Sequence, residues 1–171
     1  MTLFASGGCS SGEREVEPSP TVLRAWHAPD ACSLVDAEFR EDLLGQPQEP
    51  ERPVYSGCGY SRRDVNRKLD VSVREGLWKA QKHDLESTTE AARQMYSEAI
   101  SVRSMPCSPL RFQGVDEACW SKAYEGLISI ELRKADVIVS VAYTNGEYRG
   151  VKDSVLEKAA QRIGRHIAER M

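Results

Sequence analysis

Five cysteines, at positions 9, 32, 58, 107 and 119, constrain this chain more than any other feature. No two are closer than twelve positions. The close Cys or His pair from which zinc sites are built is therefore missing, as is the Cys-x-x-Cys of a thioredoxin-type redox centre. Structural thiols or disulfides remain. Four cysteines can pair in three ways, and spacing alone does not choose among them. The fifth needs its own explanation.

Cys9 supplies it. It sits in Met1-Thr-Leu-Phe-Ala-Ser-Gly-Gly-Cys9-Ser-Ser-Gly12, a short apolar start, then small residues, the cysteine and a small polar run. This resembles the end of a bacterial lipoprotein signal peptide, in which small residues admit the peptidase and the cysteine thiol is acylated. Ser6 stands where such signals usually carry Leu, and the basic n-region and most of the apolar h-region are missing, which places the expected translation start upstream of Met1. The resemblance implies a diacylglyceryl anchor on Cys9, and two acyl chains hold a membrane stably where one does not. Residues 10–29 are polar and contain Pro18 and Pro20 without sustained periodicity, so they are expected to form a disordered tether.

Beyond the tether the sequence has one domain's worth of residues: 171 in the whole chain, 40% hydrophobic and 29% charged. Its 23 Lys and Arg against 26 Asp and Glu give a net charge of −3, which argues against nucleic-acid binding. No run approaches the roughly 18 to 20 apolar residues that a membrane-spanning helix requires.

Hydrophobic periodicity divides residues 30–171 into helices and strands. Leu34, Val35, Phe39, Leu43 and Leu44 have helical spacing, with Cys32 at the helix entrance and Gly45 at its end. Ser56–Tyr60 and Leu69–Arg74 predict two strands joined by the polar loop 62–68. Ser87-Thr-Thr-Glu90 has the form of a capping box and opens a helix through Ala91, Met95, Ala99 and Ile100. Ile128, Ile130 and Leu132 alternate with Ser129, Glu131 and Arg133. Val137, Val139, Val141 and Tyr143 repeat the alternation after a tight hairpin at Lys134-Ala135-Asp136. Such patterning predicts an antiparallel sheet with one wet face. Val155, Leu156, Ala159, Ala160, Ile163 and Ile167 form the stripe of a closing amphipathic helix. The expected class is α+β, an antiparallel sheet with helices packed on one face and two disulfides.

Asp30-Ala-Cys32-Ser-Leu34 followed by Gly57-Cys58-Gly-Tyr60 resembles a family of small actinobacterial cell-envelope lipoproteins whose domain has no assigned function. The block from Gly114 to Ala118, the stretch Leu132–Val141 and the last helix are similar to that family's second half. The resemblance spans residues 30–170 and departs from the family at Ala135, where Gly is expected, and at the extra pair Cys107 and Cys119. It implies Cys32 bonded to Cys58, leaving Cys107 to Cys119. The first link closes a loop of about 26 residues, for which chain entropy gives roughly 3 kcal/mol. Two such bonds imply an oxidising compartment.

Candidate sites are sparse. His27 lies in the tether, His83 before a helix and His166 on the last helix near Arg162, Arg165 and Arg170; caps, turns or solvated helix-end positions account for all three. No nucleophile elbow, Walker loop or His-Glu-x-x-His motif is present, and none of the carboxylates Glu38, Glu41, Asp42, Asp116 and Glu117 stands out as a glycosidase pair. No catalytic residue, metal ligand or cofactor is assigned. Arg62, Arg63, Arg67 and Lys68, offset by Asp64, are expected to form a solvated hairpin loop, with contact to anionic lipid or wall polymer as the functional alternative. Trp78, Trp120 and Tyr124 suit either a core or a partner-facing patch, and Trp120 follows Cys119 closely enough to pack on a disulfide.

The expected role is a non-enzymatic, lipid-anchored domain outside the cell membrane that binds an envelope protein or a small ligand. The alternatives are a secreted enzyme with a non-motif site and a cytosolic regulatory domain with reduced thiols.

Overall fold

The computed structural model describes residues 28–46, 57–76, 80, 87–102, 106–124, 126–146 and 151–171, with Arg63, Ala123 and Tyr124 described by backbone alone. Cys9, the tether to residue 27, His27, Trp78 and His83 lie outside the described residues.

Helix α1 (Ala37–Leu44) begins later than the periodicity suggests, because residues 31–35 form a turn and Asp36 is the N-cap, accepting a hydrogen bond from the Phe39 amide. Gly45, at φ 93°, ends it in the left-handed conformation that glycine adopts without steric cost. Strand β1 (Gly57–Arg62) passes through a single 3₁₀ turn at Arg63–Val65 into β2 (Arg67–Glu75). Helix α2 (Thr88–Ser101) follows, capped by the Ser87 hydroxyl. Glu90 completes no capping box and instead pairs with Arg93. Then come β3 (Ser108–Leu110), β4 (Glu117–Tyr124), β5 (Leu127–Lys134), β6 (Val137–Asn145) and helix α3 (Asp153–Ala168).

The six strands form one antiparallel sheet in the order β1-β2-β6-β5-β4-β3. A hairpin (β1, β2) and a meander (β3 to β6) thus meet along one seam, where β2 and β6 pair over nine residues from Arg67 opposite Asn145 to Glu75 opposite Val137. The α+β class and the antiparallel sheet agree with the sequence pattern. Strands β3 and β4 were not legible in it, since β3 has three residues and β4 places Lys122 on the same side as Ala118 and Trp120, which breaks the alternation.

On one face lies the main core. Cys58, Tyr60, Leu69, Val71, Ile128, Ile130, Leu132 and Val139 are all 2% exposed or less, and α1 and α3 cover them with Leu44, Leu156 and Ile163. The stripe of α3 is shifted from the expected one: Val155 is 48% exposed, while Gly164 and Ala168 are buried.

Helix α2 departs from the one-face arrangement. It packs on the opposite face, where Ala92 and Tyr96 join Ile138 and Cys119 in a second, smaller core. Its buried residues are Ala91, Ala92 and Tyr96, and Met95 and Ile100 of the expected stripe are partly buried against the same core. Ile138 explains the need for cover: it is an apolar residue in the outward register, completely buried between the positions that feed the main core. Gly76 makes the close approach possible, because a Cβ there would fall 2.1 Å from the Thr88 carbonyl oxygen. The expected wet face is thus wet only away from α2.

Both disulfides are present. Cys32–Cys58, with Cα atoms 5.1 Å apart, ties the turn before α1 to β1, and Cys107–Cys119, at 5.6 Å, ties the start of β3 to β4 under α2. Each layer outside the sheet therefore has a covalent fastening at or beside it. Cys119 and Trp120 point to opposite faces, so the indole packs toward the main core and not on the disulfide.

At the β5–β6 hairpin Ala135 has φ 51°, a left-handed conformation that strains a residue with a Cβ. Its amide donates to Asp116 at 2.7 Å and its carbonyl accepts from Arg133 at 2.9 Å, which hold it there. The substitution Ala135→Gly is expected to stabilise the domain by about 0.5 to 1 kcal/mol, as strain relief outweighs added unfolded-state freedom. A rise in the urea unfolding midpoint checks this; an unchanged or lower midpoint contradicts it.

Candidate binding face

The part of the sheet that α2 leaves open forms a shallow trough. Its floor is set by the outward register of four strands: Gly57 and Gly59 on β1, Ser72 on β2, Ala142 on β6 and Ser129 on β5. These side chains are small, so the sheet surface recedes and leaves a volume of about 330 Å³. Hydroxyls and strand backbone line it, and polar pairs stand at both ends. Lys68 and Asp70 form an ion pair at 3.0 Å, each about half exposed and worth little to stability.

The other end is built differently. Ser140 donates to Glu131 at 2.6 Å, and Arg74 reaches Ser140 at 2.8 Å and Glu131 at 3.4 Å. The Glu131 side chain is only 4% exposed. A carboxylate so far removed from water is tolerable because charge-assisted hydrogen bonds replace its hydration. Beside it Arg133, 5% exposed, is held by Asp116 and Glu117. These networks fix the wall between the trough and α2. They make the far end of the trough a rigid surface of stated polarity.

Of the trough residues, sequence singled out Lys68 alone for interaction, although a signal for the others existed. The alternation that places Leu69, Val71 and Val73 in the core also places Asp70 and Ser72 outward, and Ser129 and Ser140 follow by the same rule. What could not be read was that these strands are neighbours.

Of the residues that sequence did single out, Arg62 and Arg67 stand opposite each other across the hairpin on the α1 face, beside Gly45, while Lys68, opposite Ser61, lies on the trough face, so the expected basic cluster is split between the two faces. Arg62 pairs with Asp64 at 2.9 Å and donates to the Leu44 carbonyl at 3.3 Å, so it caps the C-terminal end of α1. Lys68 is paired with Asp70. The Arg67 Nε atom is buried without a hydrogen bond among the described residues. Trp120 is partly buried against the main core, on the face away from the trough.

His166 is not the solvated helix-end residue its position suggests. Its ring stacks on Phe39 at 3.7 Å with an interplanar angle of 12°, and its side chain is 11% exposed. Nε2 lies 3.6 Å from a carboxylate oxygen of Asp36, which also caps α1 and pairs with Arg170. Burial, and then the Arg170 charge, push the His166 pKa below its ordinary value of 6.5. The Phe39 amide, helped by His166 and Arg170, holds the Asp36 carboxyl below 3.8.

No family model matches the chain, and no curated protein or solved structure matches it. What it can do must be argued from its own chemistry.

Two expectations follow from these contacts. Glu131→Ala strands Arg74 and Ser140 beside a cavity and is expected to cost about 2 kcal/mol in urea unfolding. Paired with Arg74→Ala it should cost clearly less than the sum of the two single changes, whereas strict additivity would deny the coupling. The unfolded chain gains a proton at His166 as pH falls through 6.5, and the folded chain gains it only at a lower pH, so stability should decline as pH falls from about 7.5 through 6.5. In His166→Gln that decline should flatten, and an unaltered slope would remove His166 as its cause. Asp36 acts in a more acidic window, its contribution present above 3.8 and lost as pH falls through its folded pKa.

Proposed function

We propose that this chain is an exported lipoprotein, anchored through Cys9 to the outer face of the cell membrane, whose domain is a non-enzymatic binding module. The observation that carries the proposal is the pair of disulfides in so small a domain, since such bonds persist in oxidising compartments and are rare in reducing ones. The small-residue run around Cys9 supports it from the sequence side, because it accounts for the one cysteine that has no partner in this pairing. The likeness to actinobacterial cell-envelope lipoproteins points the same way.

Within the domain the trough is the surface we assign to binding. Its floor of Gly59, Ser72, Ser129 and Ala142 admits close approach, and its ends offer ion pairs and hydroxyls to a polar ligand or an envelope partner. Its rigid walls keep the ordering cost of association low.

Intact mass of the protein isolated from its own host, before and after reduction and alkylation, tests the proposal. The expected result is a diacylglyceryl adduct at Cys9 together with four thiols that alkylate only after reduction. An unmodified N-terminal segment with five freely alkylating thiols would overturn it and favour the cytosolic alternative. Conversion of a wall-derived or ester substrate, abolished by one substitution in the trough, would overturn the non-enzymatic part.

A further inference from the structure

On the far side of the molecule from the trough, the exposed face of α3 carries a second feature. Lys158, Arg162 and Arg165 occupy positions i, i+4 and i+7 and so project from one side of the helix. Together with Gln161 they ring a recess of about 340 Å³ that includes Phe39 and His166 and has Glu169 on its rim. Arg162 shares its charge with Asp42 and lies over the Phe39 ring at 5.4 Å. Lys158 and Arg165 are exposed and make no ion pair among the described residues. The His166 ring lines the same recess, while its Nε2 atom is buried without a hydrogen bond among the described residues, 3.6 Å from an Asp36 carboxylate oxygen.

We propose that this recess binds a phosphate ester group, with Lys158, Arg162 and Arg165 around the phosphate oxygens and the stacked Phe39 and His166 rings beneath its organic part. The chemistry favours phosphate over carboxylate. The Lys158 ammonium, the Arg165 fork and the Arg162 donors that Asp42 leaves free are more than the two oxygens of a carboxylate can engage, while a phosphate ester has more acceptor oxygens and charge; the Gln161 amide is already held by Glu157 at 3.3 Å. Glu169 at the rim, Asp42 on Arg162 and Glu157 on Gln161 all oppose a bound anion, so a site of this kind needs Lys158 and Arg165 engaged at once. The stacked rings give the recess an apolar side, which distinguishes an ester from a bare inorganic ion. This site is independent of the trough and of the anchor: either can fail and leave it standing.

Two sources offer this group, a soluble phosphate ester and a phospholipid headgroup, and the probes separate them. Glycerol phosphate is titrated against the full chain in 0.15 M salt by calorimetry, and vesicles of phosphatidylglycerol in phosphatidylcholine are tested by co-sedimentation. The wild-type chain is expected to bind at least one probe, and the double variant Lys158→Ala, Arg165→Ala to bind it at least tenfold more weakly with an unchanged unfolding curve. Binding of glycerol phosphate identifies a soluble ester site, and binding of vesicles alone identifies a headgroup site. Should the double variant lose stability, Lys158→Gln and Arg165→Gln made singly are each expected to weaken binding several-fold. No binding of either probe, or binding that these substitutions leave unchanged, overturns the proposal.

Discussion

The pairing of β2 with β6 is the constraint on which the rest of this structure depends. It is the seam between the β1–β2 hairpin and the β3–β6 meander, and it joins residues about seventy positions apart. Each half alone is a small ribbon with edges open on both sides. Side chains alternate strictly along a strand, so the register of this one seam decides which residues of the hairpin share a face with which residues of the meander. Val71 opposite Val141 and Val73 opposite Val139 place the hairpin's apolar row in the main core. The same register places Ser72 opposite Ser140 and Arg74 opposite Ile138 on the other face, where the trough and its wall arise. A slip of one residue would bury Ser72 and Arg74 and expose Val71 and Val73.

Much of this was legible in the sequence where one physical rule acts alone. The alternation in 128–133 and 137–143 gave both strands, their inner face and the hairpin between them, because half-buried antiparallel strands must alternate. Gly45 marked the end of α1, and the Ser87 hydroxyl marked the start of α2, since both follow from local backbone chemistry. The misses fall where tertiary context overrides the local rule. Ile138 lies out of phase with its neighbours and requires a helix on the second face, which no pattern within β6 could reveal. Val155 fits the expected apolar stripe of α3 yet stays in water because the stripe that meets the core runs through Leu156, Ala160, Ile163 and Ile167, with Val155 a helical step to one side of it. His166 sits among arginines at a helix end and reads as solvated, but α1 delivers Phe39 to its ring from more than a hundred residues away. The candidate sites were the least legible for the same reason, since both the trough and the recess on α3 are made by elements distant in sequence.

The two disulfides then act on opposite faces of a sheet whose register is already set. Cys58 is on the core face and Cys119 on the face under α2, so the bonds fasten α1's entry on one side and the short edge strand β3 on the other. A domain of this size gains from such bonds chiefly because they restrict the unfolded chain. The fastened layers leave two surfaces free for recognition: the open trough, and the basic recess on the outer face of α3. Both surfaces are accessible without the fold having to move.

Disulfide mapping tests the central claim most directly, because the register of the sheet forbids two of the three possible pairings. Mass analysis of proteolytic peptides from the folded protein under non-reducing conditions should recover Cys32 linked to Cys58 and Cys107 linked to Cys119. A linked peptide joining Cys58 to Cys119 or to Cys107 would connect opposite faces of the sheet, and it would contradict the register and everything derived from it.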